Sequence, residues 1–332
     1  MSKHTLRIGI VSFAHMHAAG YAACLRSLTG VEITGVYDEN AERGTVQADR
    51  FGAPFMQTLE ALLDCKLDGI IICSENAKHR FHVEQVAGRV GHILCEKPIA
   101  STAEDGQAMI ETCAAAGSHL HIAFPVRFAT PIQQLKQMLE REELGHIYAA
   151  KCTNHGSMPG DWFIDKALSG GGAVIDHTVH VIDLLRWIWN TEVTEVYAEV
   201  GRGLIHPGLD IDDVGLLSFT LANGVYGTLD TSWSRQPPYP TWGDVKIEVV
   251  GERGLVLVDA LSQHIDVSSK STGRHRWAGY GSNPDLGLIR DFIEIIRTNA
   301  EPSIRGEDGL RALEVALAAY RSAQEGRPIQ LA

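Results

Sequence analysis

The stretch that decides the fold reads Thr5-Leu6-Arg7-Ile8-Gly9-Ile10-Val11-Ser12 and continues Phe13-Ala14-His15-Met16-His17. Its first part is a short apolar run without regular polar alternation, which is typical of a parallel strand covered on both faces. A helical pattern follows over His15–Leu28. The same alternation continues to residue 125, with strands predicted at Ile33–Asp38, Gly69–Cys73, His92–Cys95 and His119–Phe124, and helices at Asn40–Phe51, Lys78–Arg89 and Thr102–Ala116. Strands separated by amphipathic helices predict a parallel sheet with helices on both faces.

The pattern changes after residue 126. Helical patterns at Ile132–Glu140 and Val174–Trp189 are joined by several strand-like runs, and the turn Ala222-Asn223-Gly224 is typical of an antiparallel hairpin. The strands are predicted at Ile147–Thr153, Val193–Val200, Val214–Leu221, Val225–Ser234, Val245–Val250, Leu255–Val258 and Ile265–Val267, and the last helices at Leu286–Thr298 and Glu307–Glu325. The sequence therefore predicts an α/β protein of two domains. A Rossmann-type parallel sheet occupies residues 1–125, and an α/β domain with an open, mostly antiparallel sheet occupies 126–332.

Composition narrows the class of protein. Hydrophobic residues make up 45% and charged residues 21% of the 332 residues, which are usual globular values. The net charge is −12 and no basic cluster occurs, so neither a nucleic acid nor a membrane is expected as a partner. None of the six cysteines forms a Cys-x-x-Cys pair, which favours reduced thiols and a cytoplasmic location.

Several polar groups follow the predicted parallel strands, where a sheet of this kind binds its ligands. A dinucleotide site would carry Gly-x-Gly-x-x-Gly after the first strand, but this chain has Ser12, Ala14 and His17 at those places. Taken alone, the turn fits an ordinary strand-to-helix connection equally well. Asp38 ends the second strand, where a carboxylate accepts hydrogen bonds from a ribose diol and repels a 2′-phosphate. It favours NAD over NADP, although it could also serve as a helix N-cap.

Lys97 lies in Glu96-Lys97-Pro98, directly after the fourth predicted strand. A lysine at this edge is a candidate proton donor or anion clamp, and the alternative is a solvated surface lysine.

The highest concentration of polar residues in the second domain follows directly after Gly170-Gly171-Gly172. On a helix, Asp176, His180 and Asp183 would project from one face, while His177 would point roughly 100° away from Asp176. An imidazole with a carboxylate one turn away suits proton transfer, and the three glycines allow close approach of another backbone or a ligand. The alternative is a surface helix with a charged face. No metal is predicted, because His177 and His180 are spaced i, i+3 rather than i, i+4.

Taken together, Glu96-Lys97-Pro98 and the later pattern Gly-Gly-Gly-x-x-x-Asp-x-Thr-x-His-x-x-Asp resemble the glucose–fructose oxidoreductase, inositol dehydrogenase and rhizopine-catabolism family, Gfo/Idh/MocA. Ser74-Glu75-Asn76-Ala77-Lys78-His79 is similar to the family's Thr-Pro-Asn-x-x-His turn. The resemblance spans nearly the whole chain. It implies an NAD-binding first domain and a second domain whose open sheet often mediates oligomers.

The resemblance also implies roles for individual residues. Lys97 is similar to the lysine that contacts nicotinamide ribose and substrate, His180 to the catalytic acid/base, and Asp176 to the residue that orients it. The candidate cofactor residues, from the residues and the resemblance together, are Ser12, Phe13, Ala14, His15, Asp38, Ser74, Asn76, His79, Glu96 and Lys97. The candidate substrate residues are Arg127, His155, Asp176, His177 and His180, and Trp162 is a candidate for stacking on a sugar ring. Two departures, the lost glycines and Glu75 in place of proline, point to a shifted cofactor position or weaker binding.

The expected function is NAD-dependent hydride transfer to or from a carbon of a sugar, inositol or related polyol. Two alternatives stay open at this stage: an NAD-retaining lyase or glycosidase that works through transient oxidation, and a non-catalytic nucleotide-binding sensor. Apolar residues on both sides of the second domain's strands also predict a homodimer or homotetramer, unless loops cover the open face.

Overall fold

The computed structural model describes residues 5–239, 241–271, 273–279 and 281–331. The chain divides into two compact units. The first comprises Met1–Pro125, Ala167–Gly170 and Asp285–Leu310, and the second comprises Val126–Lys166, Gly171–Pro284 and Arg311–Ala332. Among the described residues, no helix combines the length and the apolar character needed to cross a lipid bilayer.

The first unit contains a six-stranded parallel sheet. Its strands, in chain order, are β1 (Leu6–Val11), β2 (Val31–Tyr37), β3 (Phe55–Met56), β4 (Gly69–Ile72), β5 (His92–Cys95) and β6 (His119–Ile122). They lie in the order β3-β2-β1-β4-β5-β6, so the order reverses between β1 and β4. All residues of β4 and β5 are buried, which means that both faces of the sheet are covered. The predicted parallel sheet is confirmed.

Helices connect these strands, and three of them begin at a side chain that accepts a backbone N–H group. They are α1 (His17–Ser27), α2 (Ala41–Phe51), α3 (Leu59–Leu63), α4 (His79–Val86) and α5 (Ala103–Ala116), and α9 (Pro284–Thr298) joins the unit late in the chain. The side chains of Asn40, Thr58 and Thr102 accept backbone N–H groups at the starts of α2, α3 and α5. The prediction that α1 begins at His15 was wrong, because His15 still belongs to the preceding turn.

The second unit is built on a seven-stranded mixed sheet. Its strands are β7 (Ile147–Thr153), β8 (Val193–Arg202), β9 (Asp212–Leu221), β10 (Tyr226–Asp230), β11 (Lys246–Gly251), β12 (Gly254–Asp259) and β15 (Ile329–Gln330), in the order β12-β11-β7-β10-β9-β8-β15. Only β7 and β10 pair in parallel. The predicted hairpin joins β9 to β10, but β10 ends at Asp230 rather than at Ser234. A separate two-stranded sheet pairs β13 (His264–Ser269) with β14 (Arg274–Gly279).

The remaining helices are α6 (Thr130–Glu140), α7 (Lys166–Ser169), α8 (Ala173–Trp189) and α10 (Gly306–Glu325). α8 packs on β8 and β9 and is buried on every side through its first three turns. The alternative of a surface helix with a charged face was therefore wrong.

The glycines before α8 are required by a close backbone contact. A Cβ atom on Gly172 would lie 1.9 Å from the carbonyl oxygen of Asp212, and one on Gly171 would lie 2.2 Å from the hydroxyl of Tyr320. The carboxylate of Asp212 accepts the N–H groups of Gly172 and Val174, each at 2.8 Å, and so caps the helix. The close approach predicted from the glycines is made by the chain's own backbone.

Candidate active site

The turn after β1 keeps the shape of a glycine turn without the glycines. Ser12 has a φ of 68°, a left-handed conformation that glycine adopts most readily. The N–H groups of this turn donate to partners inside the protein: Ser12 to the Tyr37 carbonyl, Phe13 to Asp38, Ala14 to the Ser12 hydroxyl and His15 to the Cys73 carbonyl. The N–H of His17 donates to Nδ1 of His15 at 3.2 Å.

Asp38 lies at the end of β2, as predicted, but its carboxylate is fully engaged. Oδ2 accepts Phe13 N–H and Arg43 Nε, both at 2.8 Å, and Oδ1 accepts Asn40 N–H at 2.9 Å and Arg43 Nη2 at 2.7 Å. A ribose diol could reach this carboxylate only if Arg43 moved away. The N-cap of α2 is Asn40, so the alternative role of Asp38 as the cap was wrong.

The turn after β4 brings three predicted cofactor residues into the first unit's core. Asn76 donates to the carbonyl of Ser169 at 2.8 Å. The buried ring of His79 lies between the carbonyls of Ser74 and Pro98, at 3.2 and 3.1 Å, and burial lowers its pKa. His79 thus links this turn to the loop that follows Lys97. The unusual Glu75 is paired with Lys78 at 3.3 Å, which offsets its charge.

Glu96 is the centre of a buried cluster at the same edge of the sheet. Its Oε2 accepts the backbone N–H of Lys97 at 3.0 Å, and its Oε1 lies 3.1 Å from Nδ1 of His17 and 3.8 Å from Nδ1 of His15. Burial alone would raise the pKa of Glu96, but His15, His17 and Lys97 hold it well below its usual range. Lys97 is itself buried, so the alternative of a solvated surface lysine was wrong.

The same three side chains, His15, His17 and Glu96, could in principle hold a metal ion, since their ligand atoms lie within 4.8 Å of one another. However, Nδ1 of His15 already accepts the N–H of His17, and Nδ1 of His17 is hydrogen-bonded to Oε1 of Glu96. The geometry fits a hydrogen-bonded cluster. The absence of a metal stays a prediction.

The buried face of α8 forms the second cluster. Asp176 Oδ2 accepts the indole N–H of Trp233 at 3.2 Å and lies 3.3 Å from Nε2 of His177. Nδ1 of His177 lies 3.1 Å from the carbonyl of Thr231. The prediction that His177 points away from Asp176 was wrong, because the two side chains turn toward each other from adjacent positions.

His180 is also buried, one turn after Asp176. Its ring lies edge-on to Trp242, with the ring centroids 6.5 Å apart, and His177 contacts the same indole at 5.3 Å. Gly156 makes room for this arrangement, since a Cβ atom there would lie 2.7 Å from the His177 ring. The cluster therefore combines two imidazoles, a carboxylate and two indoles in a largely dry environment.

Two predicted substrate residues of the second unit have other neighbours. Arg127 is buried and pairs with Asp183, with Nε 2.8 Å from Oδ2, and its guanidinium also lies over the ring of Trp187. Trp162 stacks on Phe163 with ring centroids 3.9 Å apart. These contacts fix both side chains within the fold, and their proposed contact with substrate stays a prediction.

His155 lies in a separate ionic cluster. Nε2 is 3.0 Å from Asp230 and Nδ1 is 3.2 Å from Asp244, which also pairs with Arg235. The hydrogen bonds to the two aspartates raise the pKa of His155 to about 9. Both ring nitrogens are thus engaged by carboxylates.

In the first unit, the predicted residues lie in the turns after β1, β2, β4 and β5. In the second unit, Asp176, His177 and His180 lie together on α8, whereas Arg127, His155 and Trp162 have other partners. Sequence reasoning missed His17 as a partner of Glu96, Arg43 as a partner of Asp38, and Asp212 as the cap of α8. Arg43 was detectable, because it follows Asp38 by five residues on a predicted helix. The partners of Glu96 and Gly172 are 79 and 40 residues away in the chain, so no local pattern reports them.

Comparison with known proteins identifies the family. The family profile described as "Oxidoreductase family, NAD-binding Rossmann fold" matches residues 6–124, and the profile of the GFO/IDH/MocA C-terminal domain matches residues 132–257. The myo-inositol 2-dehydrogenase of Thermotoga maritima is 26% identical, covering 98% of each chain, and the oxidoreductase YrbE of Bacillus subtilis is 29% identical, covering 91% of this chain and 89% of its own. The crystal structure of GenD2 from gentamicin A biosynthesis, in complex with NAD, has the same fold, with a TM-score of 0.89, 24% identity and coverage of 100% and 98%. The chain belongs to the Gfo/Idh/MocA family of oxidoreductases and has that family's NAD-binding Rossmann domain.

Proposed function

We propose that this oxidoreductase transfers a hydride between NAD and a secondary alcohol carbon of a sugar, inositol or related polyol. The observation that carries the proposal is the buried polar face of α8, where Asp176, His177 and His180 lie beside the indoles of Trp233 and Trp242. The half-buried indole of Trp242 suits the apolar face of a sugar ring, and the imidazoles suit its hydroxyl groups. The inositol dehydrogenase among the relatives supports this substrate class.

The mechanism assigns separate tasks to the chain's residues. Bound NAD supplies the hydride acceptor. His180 takes or returns the hydroxyl proton, Asp176 orients substrate and imidazole, and Lys97 stabilises the oxygen as charge develops on it. The proposed cofactor residues are Ser12, Phe13, Ala14, His15, Asp38, Ser74, Asn76, His79, Glu96 and Lys97, and the further proposed substrate residues are Arg127, Trp162 and His177.

Two substitutions test these roles. With the polyol that a dehydrogenase screen identifies, we expect Lys97→Met and His180→Gln to lower kcat about 10²- to 10⁴-fold, because the first removes the charge that stabilises the oxygen and the second removes the group that transfers the proton. Affinity for NAD, measured by calorimetry, should change only a few-fold. The matched control is Lys66→Met, at an exposed lysine between α3 and β4, which should behave like the wild type in both assays. Retention of wild-type kcat by either variant removes that residue from the mechanism.

We also propose that the chain forms homodimers or homotetramers through the outer face of the second unit's sheet. Leu216, Tyr226 and Leu257 point from this face and are 54%, 62% and 64% exposed. Apolar exposure of this kind on several strands of one sheet face is typical of an interface. Light scattering after gel filtration should show a dimer or tetramer that Leu257→Glu weakens, and a purely monomeric wild type would refute the interface.

A cytoplasmic location completes the proposal. All six cysteines are free thiols, and five of them are buried: Cys24, Cys73, Cys95, Cys113 and Cys152. Free thiols persist in a reducing compartment. Fractionation of the source cells, followed by detection of the protein with an antibody, tests the location.

A further inference from the structure

The family's NAD site needs groups that bind the negatively charged pyrophosphate, and this chain lacks the usual ones. In a doubly wound sheet, the pyrophosphate is held at the turn after the first strand, mainly by backbone N–H groups that glycines leave accessible. Here the N–H groups of Phe13, Ala14, His15 and His17 donate to atoms of the protein itself. The turn therefore offers few free backbone donors to a phosphate.

A side chain occupies the place where the third glycine of the motif would be. His17 is the first residue of α1, so it lies at the positive end of that helix. Its Nδ1 faces Glu96 at 3.1 Å and Tyr21 Oη at 3.4 Å, which directs Nε2 to the opposite side of the ring. The His17 side chain is 26% exposed, whereas that of Glu96 is fully buried. Among the described residues, no hydrogen bond to Nε2 of His17 is found.

The surroundings of His17 favour its charged form. Burial lowers the pKa of this imidazole, but the charge and hydrogen bond of Glu96 more than compensate and raise the pKa above its ordinary value. The other titratable groups that face it are Asp285 at the start of α9, which raises the pKa further, Lys97, which lowers it, and the neighbouring His15 and Tyr21. A protonated imidazole with one N–H held by a carboxylate can donate its other N–H to an anion.

We propose that the imidazolium of His17, oriented by Glu96, binds the pyrophosphate of NAD in place of the backbone amides of a glycine turn. The pyrophosphate is the part of the cofactor that fits, because it carries the negative charge, whereas adenosine is neutral and the oxidised nicotinamide is positive. His17 is thus a binding residue, and Glu96 is a positioning residue that acts through it. The inference rests on the use of NAD and not on the identity of the substrate.

The test separates the pyrophosphate from the rest of the cofactor. Dissociation constants for NAD, ADP-ribose and adenosine are measured by calorimetry at pH 7 with the wild type and His17→Gln, which keeps an N–H donor for Glu96 but removes the charge. We expect binding of NAD and ADP-ribose to weaken about tenfold to a hundredfold, the worth of a charge-assisted hydrogen bond. Binding of adenosine should change less than about twofold.

A pH series adds a readout that a purely structural role would not change. Because the protonated imidazole binds the anion, the affinity of the wild type for ADP-ribose should fall as pH rises through the raised pKa of His17, and His17→Gln should lose this dependence. The matched control is His119→Gln at the opposite, amino-terminal end of β6, which should bind all three ligands like the wild type. His17→Gly serves as a second variant should His17→Gln prove unstable in a thermal unfolding assay. Wild-type affinity of the charge-free variant for ADP-ribose, or an equal loss for adenosine, would overturn the proposal.

Discussion

His17 in the first unit and His155 in the second are both histidines held by carboxylates, but they differ in what remains available. His17 has one close carboxylate, Glu96, at one ring nitrogen. His155 lies between two, Asp230 and Asp244, with one at each ring nitrogen. An imidazolium has only two N–H groups, so both N–H groups of His155 are hydrogen-bonded inside the protein. A single carboxylate prepares a histidine for a ligand, whereas two carboxylates make it part of the framework.

Replacement of His155 tests the framework role and should have the largest effect. In His155→Gln, Asp230 loses its cationic partner and Asp244 keeps only Arg235, and a partly buried carboxylate without a cationic partner is costly. We expect the free energy of unfolding at pH 7 to fall by about 3 kcal/mol, as measured by urea denaturation. Affinity for ADP-ribose should be unchanged. A variant as stable as the wild type would show that the cluster contributes little, and the comparison with His17 would fail.

The pH dependence of stability sharpens the same comparison. The pKa of His155 is about 9 in the folded chain and about 6.5 in the unfolded chain. Its raised pKa therefore contributes stability in full below pH 6.5, and that contribution is lost as pH rises toward 9. Urea denaturation of the wild type and His155→Gln from pH 6 to pH 9.5 should show most of their difference disappearing over this window. A constant difference across the series would contradict the ionic explanation.

Replacement of Arg43 tests whether a second charged side chain of the first unit affects cofactor binding. Its guanidinium covers Asp38, and a cation here would offset the repulsion between Asp38 and the 2′-phosphate of NADP. We expect the wild type to prefer NAD, and Arg43→Ala to increase that preference roughly tenfold. Calorimetric titration with both cofactors measures the ratio. Arg50→Ala, on the same helix, is the control, and a preference that shifts toward NADP would contradict this role of Arg43.

Dialysis of the protein against a metal chelator should have the smallest effect, because we expect it to leave NAD binding unchanged. Hydrogen bonds already join the cluster of His15, His17 and Glu96: Nδ1 of His15 accepts the N–H of His17, and Nδ1 of His17 is bonded to Glu96. Dialysis against a strong chelator should leave the affinity for NAD unchanged. If affinity fell and returned with added Zn²⁺, the cluster would be a metal site, and the contrast between the two histidines would need a different explanation.

Much of the architecture could be predicted because its cause is local. Apolar runs and helical periodicity located the long elements of both sheets, and the turn at Ala222-Asn223-Gly224 identified the β9–β10 hairpin. The two-residue strands β3 and β15 were missed, since two residues carry no periodicity. The short helix α3 was also missed, although Thr58 supplies its N-cap.

The site could be predicted less completely, because its chemistry depends on distant partners. The sequence identified Lys97, Asp176 and His180 by motif, but not that Trp233 donates to Asp176 from 57 residues away. It identified His155 without its partner Asp230, which lies on another strand. The number of carboxylates around such a histidine decides whether one of its N–H groups is available to a ligand. The fold determines that number.

The burial of five of the six cysteines has a practical consequence for spectroscopy. Burial raises the pKa of Cys24 to about 11 and that of Cys113 to about 12, and it also raises the pKa of Cys73, Cys95 and Cys152. Thiol reagents attack the thiolate, so these five side chains should resist maleimide labelling at neutral pH. Cys65, half-buried in the connection between α3 and β4, is then the one position that takes up a dye. The natural sequence can therefore carry a single fluorophore on its first unit without any cysteine being replaced.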